Sequence, residues 1–150
     1  MENYLRPIEI LLVEDNEADI VLTKNALKTL KLQNNLSICR NGEEALNFLN
    51  KTGEFEDAIR PDLVLMDLNM PKLNGIEALE KIKTNPEISM IPVIILSTSS
   101  AEKDVISSYK HHANSYIKKP IDFMKFLEVV QQIENYWFSI VKTPSKEYIS

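Results

Sequence analysis

The chain has 150 residues, 44% of them hydrophobic, which suffices for one domain with a single sizeable core and leaves no room for a second. Its formal net charge of -5 excludes the basic face that a nonspecific grip on nucleic acid or on anionic lipid requires. A single cysteine, Cys39, rules out an internal disulfide framework and suits a reducing compartment, where such a thiol packs as a small hydrophobe.

The opening stretch MENYLRPIEILLVEDNEAD has no apolar run long enough for a signal peptide or a membrane span before its acids arrive, so a cytoplasmic protein is expected. Within it IEILLV (8–13) reads as a strand that ends abruptly in Glu14-Asp15-Asn16. From Glu17 to about Leu32, Ala18, Leu22, Ala26 and Leu30 recur every fourth residue, with Val21 and Leu27 widening the stripe, which predicts a helix. LSIC (36–39) is a second strand and GEEALNFLN (42–50) a second helix. Residues 51–61, KTGEFEDAIRP, form a polar loop with room for a helical tail, and DLVLMD (62–67) is a third strand. Gly75 opens a third helix with Ile76, Leu79 and Ile82 on one face, ending near Asn85-Pro86, where proline blocks continuation.

IPVIILS (91–97) is the most apolar strand, followed by a helix at about 101–112 and the short strand SYIK (115–118). A long final helix runs from about Asp122 to Val141, with Phe126, Val130, Ile133, Trp137 and Val141 in one stripe. Phe123, Tyr136 and Phe138 spread apolar surface around it, either folding back on the domain or serving a partner or a homodimer. The expected organisation is one domain over 1–141 and a polar tail over 142–150.

Strands alternating with helices, and apolar nearly throughout, predict an α/β fold whose parallel sheet is covered on both faces. In such a sheet ligands bind beyond the carboxyl ends of the strands, beside the switch in strand order. Strand one delivers Glu14 and Asp15 there, strand three Asp67, and strand four Ser97, backed by Thr98, Ser99 and Ser100. Strand five ends in Lys118-Lys119-Pro120.

This set resembles the receiver domain of two-component response regulators, over about Ile8 to Tyr136. The likeness rests on an acidic pair after strand one (Glu14, Asp15), Asp67 within DLNMP...G, Ser97 after strand four, and Lys119-Pro120 after strand five. The GEF...RPDL loop, the LSTS turn and the YWFS ending are similar in particular to single-domain receivers associated with phytochrome kinases. The resemblance implies the (βα)5 flavodoxin-like fold, with strand order 2-1-3-4-5. It also implies a phosphoryl group accepted on Asp67 from a sensor histidine kinase, of phytochrome type on the finer likeness.

The chemistry of the residues agrees with that role. A carboxylate oxygen exposed at a strand end can attack phosphorus in line and hold it as an acyl phosphate. Three crowded carboxylates repel each other unless a cation lies among them. Mg²⁺ or Mn²⁺ suits Asp15, Asp67, the backbone carbonyl of Asn69, and Glu14 directly or through water, although Glu14 stands where the family more often has Asp. Lys119 offers an ammonium to a phosphoryl oxygen and before that offsets the acids. Pro120 is similar to the family's cis-proline, which would aim Lys119 inward. Ser97 can donate to a phosphoryl oxygen, and its inward shift would vacate space for Tyr116. The resemblance implies that this movement carries the signal to the face made by the fourth helix, fifth strand and fifth helix. The resemblance further implies that Thr98, larger than the Ala common beside the phosphoryl group, would narrow access to it, and that Ser99 lacks the carboxylate or amide that positions water in some relatives, so slow acyl-phosphate hydrolysis is expected.

Each residue alone has a plainer explanation. Asp15 or Asn16 could cap the first helix, Ser97 could be a turn residue, Lys119 a solvated charge and Tyr116 strand packing. The convergence of all of them outweighs these readings. His111-His112 reads as an exposed helix end, and because His112 stands where the family often has glycine, the turn there is expected to be built differently. Three functions compete: a phosphorylation switch with no attached output domain, a receiver-like module that is never phosphorylated, and an aspartyl-phosphate hydrolase. The last is disfavoured because DLNMP has no second acid two residues after Asp67.

Overall fold

The computed structural model describes residues 7–29, 33–68, 70, 72–97, 102–113 and 115–119, together with the helical positions 124, 125, 128, 131 and 132. Its elements are β1 (Ile8–Val13), α1 (Glu17–Leu27), β2 (Asn34–Cys39), α2 (Gly42–Asn50), β3 (Leu63–Asp67), α3 (Gly75–Lys83), β4 (Val93–Ser97), α4 (Glu102–Lys110) and β5 (Ser115–Lys118). The loop after α2 holds one 3-10 turn, Gly53–Phe55, at its start. Most of the expected final helix, its aromatic residues and the tail lie outside the described residues, as does Leu30.

The five strands pair in the order β2-β1-β3-β4-β5, every pair parallel. Successive side chains of a strand point to opposite faces, so a strand covered on both sides must be apolar at nearly every position. Leu11, Val13, Val64, Met66, Val93, Ile95 and Tyr116 pack with Ala45 and Leu49 of α2 and with Ala78, Leu79 and Ile82 of α3. The intervening residues Ile10, Leu12, Leu63, Leu65, Ile94, Leu96 and Ile117 pack with Ile20, Ala26 and Leu27 of α1.

Asn16, Asn41 and Asn74 begin α1, α2 and α3, each side chain accepting a backbone N–H three residues on. Asn16, not Asp15, is therefore the cap of α1, which leaves the Asp15 carboxylate outside the capping bonds. The buried face of α1 differs from the expected stripe: Ile20, Thr23, Ala26 and Leu27 are buried, whereas Ala18 is exposed and Val21 and Leu22 are about half exposed. A strict four-residue step drifts around a helix of 3.6 residues per turn, while steps of three and four alternate along one face. The buried hydroxyl of Thr23 hid that face in the sequence. The helix also ends earlier than expected, because Thr29 donates back to the Ala26 carbonyl and the Asn34 amide donates to the Leu27 carbonyl at 3.1 Å.

At the end of α4 the turn is not built differently after all. His112 takes the left-handed conformation at φ 71°, its N–H donates to the Tyr109 carbonyl and the Ala113 N–H to that of Ser108, both at 3.0 Å. These are the two bonds of a Schellman termination, made here without glycine. Nor is His111 fully exposed: its ring is half-buried, with Nδ1 2.8 Å from the Ser107 carbonyl and Nε2 3.7 Å from Glu80 of α3.

Candidate functional site

Strand order reverses between β1 and β3, which lie side by side and open their carboxyl ends at the same edge. Val13 is in register with Met66, so Glu14 and Asp67 stand level as the next residues of the two strands. Glu14 is fully buried and its N–H donates to the Cys39 carbonyl at 2.9 Å, while Asp15 faces solvent and Asp67 is nearly buried. One carboxylate oxygen from each of Glu14, Asp15 and Asp67 lies within 4.8 Å of the others. Such an all-oxygen, acidic donor set fits a hard divalent cation.

Lys119 enters this cluster from the end of β5, 105 residues after Glu14 in sequence. Its backbone N–H donates to the Ser97 carbonyl at 2.6 Å, extending the pairing of β4 with β5 by one step and turning the side chain inward. The ammonium donates to Glu14 Oε1 at 2.7 Å and to Asp19 Oδ2 at 2.9 Å, and lies 3.2 Å from Asp67 Oδ1. Burial alone would lower the Lys119 pKa, but its bonds to Glu14 and Asp19 and the charges of Asp67 and Glu14 outweigh that and hold it above the ordinary lysine value. Burial raises the Glu14 pKa, the bond from Lys119 opposes the rise, and the Asp67 charge adds to it.

The segment after Asp67 is held by its neighbours on the main chain. Leu68 N–H donates to the Leu96 carbonyl at 3.0 Å, Gly75 N–H to the Leu68 carbonyl at 2.8 Å, and Gly42 N–H to the Leu73 carbonyl at 3.2 Å. A Cβ at Gly75 would stand 2.6 Å from the Asp67 carbonyl oxygen, and one at Gly42 would collide with the Leu73 carbonyl. Both helices therefore begin on glycine because the loop carrying Asp67 presses against their first residues. Lys72 within that loop takes a left-handed φ of 65°.

The structure thus brings together Glu14, Asp15, Asp67 and Lys119. Ser97 ends β4 fully buried, one step beyond the pairing of Asp67 with Leu96. Tyr116 pairs with Ile95 and is already buried in the cluster that Val105 of α4 packs against. Asn69, Pro71, Thr98, Ser99 and Pro120 lie outside the described residues. Sequence reasoning missed Asp19: it stands three residues after the capping Asn16, where an acid is ordinarily explained by the helix dipole.

A parallel sheet in this order, with acids ending β1 and β3 and a lysine ending β5, defines a receiver. The chain belongs to that family: residues 10–131 match the family described as the response regulator receiver domain. Among its relatives, response regulator Rcp1 of Synechocystis sp. is 45% identical over 139 residues, spanning 93% of this chain and 95% of that protein. The probable methanogenesis regulatory protein FilR2 of Methanothrix harundinacea is 36% identical over 138 residues, spanning 92% of this chain and 88% of that one. The crystal structure of the Mn²⁺-bound form of Rcp1 superposes with a TM-score of 0.76 at 46% identity, covering 87% of this chain and 94% of that one. That of the phosphorylated cyanobacterial phytochrome response regulator RcpA gives 0.77 at 42% identity, covering 90% and 96%. Among the described residues no helix is long and apolar enough to cross a membrane.

Proposed function

We propose that this response regulator accepts a phosphoryl group on Asp67 from a phosphohistidine of a sensor kinase and signals by a change in its protein contacts. The carrying observation is the nearly buried Asp67 carboxylate, 3.2 Å from the Lys119 ammonium and within 4.8 Å of the Glu14 and Asp15 oxygens. An Asp67 oxygen attacks phosphorus, the bond from phosphorus to the donor's imidazole nitrogen breaks, and that nitrogen keeps the electron pair. Lys119 neutralises charge that gathers on the phosphoryl oxygens, and Ser97 donates its hydroxyl to one of them. Mg²⁺ or Mn²⁺ held by Glu14, Asp15, Asp67 and the Asn69 carbonyl would supply further charge neutralisation when bound. Two relatives support this reading, one of which binds Mn²⁺ while the other is phosphorylated and is a phytochrome response regulator. A phytochrome-type kinase is therefore the donor class we infer.

Movement of Ser97 toward the phosphoryl group would be felt by Tyr116 and Val105, and so by the outer surface of α4 and β5, where Tyr109 is half exposed. The identities of Thr98 and Ser99, which follow Ser97 in the sequence, favour a slowly hydrolysed acyl phosphate. Phosphate-affinity electrophoresis after incubation with acetyl phosphate and Mg²⁺ tests the assignment. One retarded band is expected, lost in Asp67→Asn and lost without the divalent ion. Steady turnover of phosphate esters with no stable band would favour a hydrolase, and no modification at all would overturn the proposal.

A further inference from the structure

The Lys119 ammonium has three N–H donors and, among the described residues, three carboxylate neighbours, namely Glu14, Asp19 and Asp67. Glu14 and Asp67 are also two of the three acids whose oxygens converge, whereas Asp19 is outside that group. A divalent ion and Lys119 therefore draw on the same two carboxylates. Among these three carboxylates, Asp19 alone offers Lys119 a bond for which no member of the converging set is needed. Two bonds locate it: the Asp19 N–H is held by the Asn16 side chain at 3.0 Å, and the Oδ2 of its partly exposed carboxylate is 2.9 Å from the ammonium.

We propose that Asp19 is a positioning residue for Lys119, holding the ammonium toward α1 so that Glu14 and Asp67 can serve a divalent ion while Lys119 stays within reach of the phosphoryl group. The proposal rests on the site assignment above. With Asp19 in place, Lys119 yields two acceptors and keeps a charged partner. Without it, Lys119 can only remain paired by staying on Glu14 and Asp67, where it competes with the ion. The plainer role for Asp19, an acid complementing the dipole of α1, predicts effects on stability that do not depend on Lys119.

A double-mutant cycle separates the two roles. Mn²⁺ affinity is measured by titration calorimetry for the wild-type protein, Asp19→Asn, Lys119→Met and the double variant, with Lys119→Gln replacing Lys119→Met if the latter fails to fold. Asp19→Asn is expected to weaken binding roughly tenfold when Lys119 is present and about two- to threefold when it is absent, the remainder being the loss of one charge. Lys119→Met alone should strengthen binding, since a competing cation is gone, and Asp19→Glu should recover most of the loss. At saturating Mn²⁺, Asp19→Asn should also slow phosphorylation by acetyl phosphate severalfold. Equal losses of affinity in the two Lys119 backgrounds, or no loss in Asp19→Asn, would overturn the proposal. A wild-type protein that takes up no ion would overturn it together with the metal assignment, a result distinct from either of those.

Discussion

Gly75→Ala tests whether the loop carrying Asp67 is held by close main-chain contact. Gly75 is the first residue of α3, and by helix propensity alone alanine is favoured over glycine by up to about 1 kcal/mol. The added Cβ, however, would stand 2.6 Å from the Asp67 carbonyl oxygen, 2.8 Å from Leu68 Cα and 3.1 Å from the Leu68 oxygen. All three are main-chain atoms, so no change of rotamer relieves the contact. Either the Asp67–Leu68 segment or the start of α3 must move by roughly half an ångström, and overpacking of this kind costs about 1–3 kcal/mol. That exceeds the propensity gain, leaving a net loss of roughly 1–2 kcal/mol, which lowers Tm by about 2–8 °C. Because one displaced group is Asp67 itself, phosphorylation by acetyl phosphate should slow by at least about tenfold. Gly53→Ala is the contrast: its φ is 60° with nothing within 4 Å of the new Cβ, so it should cost about 1 kcal/mol of left-handed strain and leave phosphorylation unchanged. Urea denaturation and the labelling rate are measured for both. A Gly75→Ala protein with wild-type stability and rate would refute the close-packing account.

Lys119→Met leaves buried acids without their cation and should destabilise the fold by about 3–5 kcal/mol at neutral pH, read by denaturant titration. Because the folded Lys119 pKa lies above the ordinary 10.5, its contribution is complete below that pH and is lost as pH rises through the folded value. The gap between wild type and variant should therefore shrink above pH 10.5, and parallel curves there would contradict the pairing. Cys39 is buried and its thiol is pushed up to about 12 by burial, with Glu44 adding to the rise. Iodoacetamide at pH ~8 should accordingly alkylate the native protein at least ~100-fold more slowly than the urea-unfolded one, and equal rates would show the site to be open. His112→Gly removes the left-handed strain at φ 71° and should stabilise by about 0.5–1 kcal/mol in thermal melts, a gain that vanishes if the turn is unstrained.

Much of this protein is legible without coordinates. Strands covered on both faces have to be apolar nearly throughout, so IEILLV, DLVLMD and IPVIILS announce a parallel sheet, and the carboxylates placed just where the first two runs stop announce a site. The same property hides the rest: in a strand with no polar alternation, nothing local tells Leu11 from Leu12, and only helices packed on opposite faces assign them to different clusters. The inward face of α1 was obscured because Thr23, a polar residue, fills one of its buried positions. His112 accepts a left-handed backbone because the carbonyls of Ser108 and Tyr109 take its turn's N–H groups, a compensation that residue type alone does not display. Glu14, Asp15, Asp67 and Lys119 could be named from their places at strand ends. That the ammonium gathers Glu14, Asp19 and Asp67 around itself depended on strand order and on the side from which α1 approaches. Sequence chose the residues of the site, and tertiary structure decided which charges they neutralise, because a Coulombic partner 105 residues away exists only once the sheet has closed the distance.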